Sequence, residues 1–248
     1  MDKLIYTAMT GASQAFEQQA TTAQNLANAN TNGFRAQIDS FQAIPVTGEA
    51  PLKTRTQVSN ATVGTSFVTG PLMQTGRDLD VALQGPGWIA VRADDGSEAY
   101  TRNGSFEVSS TGILVTQTGQ QVVGDGGPIT IPPDSKLIVA KDGTISTLVP
   151  GIVPATSNAL GRIKLVNPPE ENMQRGDDGL FRLKQGGVAP SDPNIHIVSG
   201  ALEGSNVNLV DSMVRMVNLA RSYETHITMI KTAQENSAKA SQIMNLNA

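Results

Sequence analysis

All thirteen prolines of this chain lie between Pro45 and Pro193, and the proline-free stretches on either side carry apolar residues at alternating steps of four and three. That division places helices at the two ends and β structure between them. Proline is excluded from helix interiors, and the four-three step is the seam of a helix that packs along another helix. At the C-terminal end the seam is Leu209, Met213, Met216, Ala220, Tyr223, Ile227 and Ile230, turning polar at Gln234 and Ser237. Asn208 supplies an N-cap and Asp211 an acidic first turn, and no glycine follows Gly204. The spacing predicts one helix from about Leu209 to Met244.

The N-terminal seam is Ile5, Met9, Ala12, Phe16, Ala23 and Leu26, with Gln19 in its one polar slot, and Asn32-Gly33 offers a left-handed stop. Between Leu4 and Phe34 the only charged residue is Glu17. A helix whose remaining surface is Ser, Thr, Gln, Asn and Ala, where a solvated helix displays Lys and Glu, is built for contact with other protein on several sides. Asn25, Asn28 and Asn32 recur near its end at helical spacing, suited either to local capping or to hydrogen bonds with neighbouring subunits. Burying the large seam residues of the C-terminal helix contributes roughly 1.5 to 3 kcal/mol each. Ordering some 35 residues costs about 1 to 2 kcal/mol apiece. A seam this rich in Ala and Gln is therefore marginal alone, and the ends are expected to gain order when subunits associate.

Composition removes several function classes. The net charge of −4 comes from 18 basic and 22 acidic residues with no basic cluster, so neither nucleic acid nor an anionic membrane is an expected partner. Cysteine is absent, and the two histidines, His196 and His226, sit in no metal-ligand spacing. No G-x-S-x-G elbow, phosphate loop or calcium loop occurs, so the expectation is no catalytic residue, no metal and no cofactor. Nothing approaches the roughly 18 consecutive apolar residues of a membrane span, and the first residues show no basic region followed by an apolar run, so no cleaved signal peptide is expected.

From Phe34 to about Thr75 the chain is rich in Thr, Val and Gln without helical period, which predicts an extended connector with Phe41, Ile44, Val46, Val58, Val63 and Phe67 to bury. Beyond Leu79, short β-prone runs alternate with Gly, Asn and Asp turns: Val81 to Leu83, Trp88 to Arg92, Ala99 to Thr101, Ser105 to Val108, Ile113 to Thr116, and onward to Ile195 to Ser199. Trp88 reads as a core anchor. Arg175-Gly176-Asp177 reads as a turn rather than an adhesion site. The expected class is α+β: terminal helices of residues 1–34 and 207–248 paired as a coiled coil, an arm over 35–77, and an inserted, mainly antiparallel β domain over 78–206.

Three segments carry a resemblance. Asn25-Leu26-Ala27-Asn28-Ala29-Asn30-Thr31-Asn32-Gly33-Phe34-Arg35 is similar to the N-terminal signature of the bacterial flagellar rod and hook proteins. Leu79-Asp80-Val81-Ala82-Leu83-Gln84-Gly85 with Gly87-Trp88, and Leu202-Glu203-Gly204-Ser205-Asn206-Val207-Asn208, match further motifs in that family's order. Asn208-Leu209 stands where the family often has Asp-Leu, and Trp88 where it usually has Phe. The opening residues and the short middle resemble the proximal-rod members most, with the distal-rod members close behind. The resemblance implies a structural subunit within the periplasm, exported without a cleaved signal. Its implied partners are other rod proteins, copies of itself and surrounding ring proteins, with no nucleic acid and no membrane insertion. The residues expected to carry assembly are Ile5, Met9, Phe16, Asn25, Leu26, Asn28, Asn32, Phe34, Leu209, Met213, Met216, Tyr223, Ile227 and Ile230. A secreted wall-binding module is the alternative.

Overall fold

The computed structural model describes residues 2–45, 56–133, 135–148 and 157–246. Val46 of the expected connector lies outside them. The chain divides into a helical unit, Met1–Ala29 with Ala36–Ser66 and Val207–Ala248, and a β unit, Asn30–Arg35 with Phe67–Asn206. The segment expected as one connector thus contributes to both.

In the helical unit, α1 (Asp2–Ala27) and α2 (Leu209–Leu246) lie side by side, with the hairpin β1 (Gln37–Pro45) and β2 (Thr56–Thr65) against α1. The helices run antiparallel: Gly11 meets His226, and the Phe16 and Tyr223 rings are 6.5 Å apart. Asn208 caps α2 as expected, its Oδ1 accepting from Val210 N at 3.0 Å and Asp211 N at 3.2 Å. α1 ends at Ala27, a turn before the expected Asn32-Gly33 stop. The cause lies in the asparagines. The Asn25 side chain leaves the helix to pair with the backbone of Gln37, accepting from its N and donating to its O, both at 2.8 Å. Asn28 Nδ2 donates at 2.9 Å to Gln24 O, a carbonyl of the last helical turn; this local bond competes with continuation of the helix, and the following Asn-rich residues form turns instead.

The β unit is built around β5 (Trp88–Arg92). It pairs with β6 (Glu98–Thr101), β9 (Gln121–Gly124) and β14 (Leu165–Val166). The sheet extends through β15 (Met173–Arg175) and β16 (Phe181–Leu183) on one side, and through β8 (Leu114–Thr116) and β7 (Phe106–Val108) on the other, with β10 (Gly127–Pro128) on β9. Residues Trp88 to Val91 are all buried, because the sheet is covered on both faces at this strand. Ile89 and Val91 enter one cluster with Val81, Phe106 and Leu114. Trp88 and Ala90 enter another with Tyr100 and Phe181. Trp88 is the expected anchor, its ring 4.5 Å from Phe181 and 6.0 Å from Phe67 between centroids.

Three smaller sheets complete this unit. β11 (Lys136–Val139), β12 (Thr144–Leu148) and β13 (Ser157–Arg162) form an antiparallel meander, its first turn made by Asp142 and by Gly143 at φ 87°. β4 (Val81–Gln84) pairs with β17 (His196–Ser199), and β3 (Leu72–Gln74) with β18 (Ala201–Glu203). These last two ladders join residues from opposite ends of the unit.

Candidate assembly surfaces

The stripe of α1 that faces α2 is not the one marked by large apolar residues. Ala8, Ala12, Ala15 and Thr22 are buried, Ile5, Gln19 and Leu26 half-buried, and these step three and four along the helix. Met9, Phe16 and Ala23, the residues immediately after Ala8, Ala15 and Thr22, are exposed, Met9 by 53% and Phe16 by 63%. α2 shows the displacement only in part. Ser212 and Ala233 are buried and Met216, Leu219, Ala220, His226, Ile227 and Ile230 half-buried, whereas Leu209 is 44% and Met213 49% exposed. The covered stripe of α1 is rotated by roughly 50°, half of one residue's step, from the seam read in the sequence, while α2 keeps Met216, Ala220, Ile227 and Ile230 of its seam.

Close approach explains the rotation. Gly11 has no side chain where the His226 ring rests, and a Cβ there would stand 2.5 Å from its Cε1. Small residues on α1 let the helices come near at this point, while Met9 and Phe16 beside them stay largely exposed. Of the residues expected to carry assembly, Met9, Phe16, Leu209 and Met213 are exposed, Ile5, Leu26, Asn28, Asn32, Met216, Ile227 and Ile230 half-buried, and Tyr223 lies against Phe16. Asn25 spends its amide on Gln37 of the same chain.

Phe34 sits elsewhere: it is buried in the β unit, with the Arg175 guanidinium 4.4 Å above its ring. Beside it lies a buried ion cluster that no sequence motif announced. Arg35 Nη2 stands 2.7 Å from Glu203 Oε1 and Arg102 Nη1 3.0 Å from Glu203 Oε2, all three side chains at most 3% exposed. Glu203 also accepts from Gly70 N at 3.0 Å, and its carbonyl from Gly33 N at 2.7 Å. Arg35 donates to Val68 O; Arg102 donates to Gly85 O at 2.8 Å and lies 5.6 Å above the Trp88 ring. Burial lowers both guanidinium pKa values and Glu203 opposes it, leaving Arg102 at about 10 and charged at neutral pH.

This cluster ties together the three motif segments. Arg35 closes the first, Gly85 lies in the second, and Glu203 is the second residue of the third. Gly33 explains why the first needs glycine: its φ is 70°, and a Cβ would stand 2.4 Å from the backbone of Arg102 and Asn103. The available signal was Arg35, a charge closing a segment otherwise almost free of charge.

Other candidates dissolve. Arg175 of the Arg-Gly-Asp turn is committed to Phe34 and to Arg35 O, 3.3 Å away. Among the described residues no three His, Cys, Asp or Glu side chains converge as metal ligands, and no helix is long and apolar enough to cross a membrane. What the geometry of the described residues offers is packing between two helices and a β unit with a buried apolar core.

Residues 5–35 match the family model described as flagella basal body rod protein, 82–147 the flagellar hook protein FlgE/F/G D1 domain, and 198–243 the flagellar basal body rod FlgEFG protein C-terminal. The flagellar basal-body rod protein FlgF of Salmonella typhimurium is 49% identical over the full length of both chains, and that of Escherichia coli strain K12 is 47% identical. A FlgG from Buchnera aphidicola subsp. Schizaphis graminum is 30% identical over 88% of this chain and 91% of its own. The chain belongs to the flagellar basal-body rod protein family, with full-length likeness to its FlgF members.

Proposed function

We propose that this chain works without catalysis, by burying the outward faces of α1 and α2 against neighbouring axial subunits in the periplasm. It is a structural subunit of the flagellar basal-body rod. The observation that carries the mode of assembly is the exposure of large apolar side chains on both helices, Tyr6, Met9, Phe16, Leu209 and Met213 among them. Each large side chain withheld from water on association contributes roughly 1.5 to 3 kcal/mol. The expected assembled state is a coiled-coil layer of paired terminal helices, with other rod proteins and further copies of the chain as partners.

Sedimentation of the full chain tests this reading. The wild-type protein should associate with rising concentration, and Phe16→Glu with Met213→Glu should remain monomeric with native Trp88 fluorescence. Equal association of the two would remove these faces from the interface.

A further inference from the structure

Two buried cations of the β unit depend on one carboxylate that comes late in the chain. Arg102 and Glu203 are 101 residues apart, and Gly70, which also donates to that carboxylate, stands 133 residues before it. Glu170 attracts both arginines from farther away but forms an ion pair with neither among the described residues. Until Glu203 is in place, burying Arg35 and Arg102 means burying unpaired guanidiniums, which cannot escape by losing a proton at neutral pH. A closed unit without Glu203 is strongly disfavoured.

These cations are built into the centre of the unit. Arg102 directly follows β6, lies over the Trp88 ring of β5 and donates to Gly85 O ahead of that strand. Arg35 follows the buried Phe34 and donates to Val68 O ahead of β3. The central strands therefore cannot take their final places until both guanidiniums are withdrawn from water. The strand pairings divide in the same way. β5 with β6, β7 with β8, β11 with β12 and β15 with β16 are pairs of sequence neighbours, which need only short turns to meet. β4 pairs with β17 and β3 with β18, and Ile197 and Leu202 of those late strands are buried. Contacts this distant in sequence form slowly.

Apolar residues in place of a buried ion cluster are often as stabilising as the ions, or more so. What an ion cluster adds is a penalty for closing before its last member arrives. We propose that Glu203 is a folding latch: hairpins form locally as the chain appears from its N-terminus, and the β unit closes only when Glu203 reaches Arg35 and Arg102. β18 ends at Glu203 and α2 begins at Leu209. Closure is thus timed to the point at which every strand of the unit is present and α2 follows next. The latch keeps an incomplete unit from locking with β3 and β4 unpaired.

Refolding of the full chain from urea tests the latch, with Trp88, the sole tryptophan, as reporter. Glu203→Gln should refold about tenfold or more slowly than wild type, while its unfolding rate rises by less than about threefold. Slowing of refolding by less than about threefold, with the loss of stability carried by faster unfolding, would show that the unit closes before Glu203 engages and would overturn the proposal. Arg35→Met, Arg102→Met and Glu203→Met together remove the cations along with the latch, and this triple variant should refold at least about a third as fast as wild type. If it is as slow as Glu203→Gln, the packing of β18 rather than charge sets the rate, and the latch is refuted. If Glu203→Gln shows no native fluorescence even without urea, the triple variant decides: native fluorescence in it supports the latch, and its absence overturns it.

Discussion

Replacing Glu203 by Gln should destabilise the β unit far more than its change of one atom suggests. The carboxylate is the shared anion of two guanidiniums, Arg35 at 2.7 Å and Arg102 at 3.0 Å, and all three side chains are essentially out of water. Glutamine keeps the shape but offers one neutral acceptor, and its amide group turns a donor toward an arginine. Two buried cations then face each other without the carboxylate that bridges them, and among the described residues Arg35 Nε and Arg102 Nε already lack acceptors. Removing one partner from a buried ion pair costs about 3–5 kcal/mol. With a urea dependence of about 2 kcal/mol per molar, the midpoint should fall by about 2 M. Trp88, the sole tryptophan, lies 5.6 Å from the Arg102 guanidinium and reports this unfolding by its fluorescence. Asp178→Asn is the control: its ion pair with Arg182 is equally short at 2.7 Å but about a third exposed, and should contribute less than about 1 kcal/mol. A Glu203→Gln midpoint within about 0.5 M of wild type, or no different from the control, would refute the claim that burial makes this cluster essential.

Two further outcomes follow from the same unit. Gly33→Ala should cost about 3 kcal/mol or more by urea titration, since it adds left-handed strain to a clash with backbone that has no rotamer to change. Tyr100 hydroxyl accepts from Ala189 N at 2.7 Å and donates to Glu98 Oε1 at 3.0 Å, and its pKa is pushed up to about 12, chiefly by burial. A folded pKa above the unfolded value of 10.0 contributes stability that is complete below pH 10 and lost as pH rises toward 12. The stability advantage of wild type over Tyr100→Phe should therefore shrink across that window. Taking the difference between the two proteins cancels the opposite contribution of Arg102, whose folded pKa is lowered.

The parts of the fold legible in sequence were those set by local chemistry. The Asp142-Gly143 turn, the Asn208 cap and the unbroken apolar run of β5 each follow from a few adjacent residues, and each is found where expected. The helix seams were legible only in part. Periodicity identifies an apolar side but does not say which of two adjacent stripes faces the same chain, and Ala and Gly rather than Met and Phe occupy the closest contact. α1 stops early where Asn28 bonds back to Gln24 O and the Asn-rich residues turn, a choice that the helical spacing of Asn25, Asn28 and Asn32 conceals. Arg35, Arg102 and Glu203 meet only across distant parts of the chain, so no local pattern announces them.

The central claim is that the outward apolar faces of α1 and α2 make this chain a rod subunit. It is tested most directly by isolating basal bodies from cells in which the only copy of the protein carries Phe16→Glu and Met213→Glu. The account predicts a protein with native Trp88 fluorescence that is absent from the basal bodies. Its presence there at the wild-type level would contradict the account.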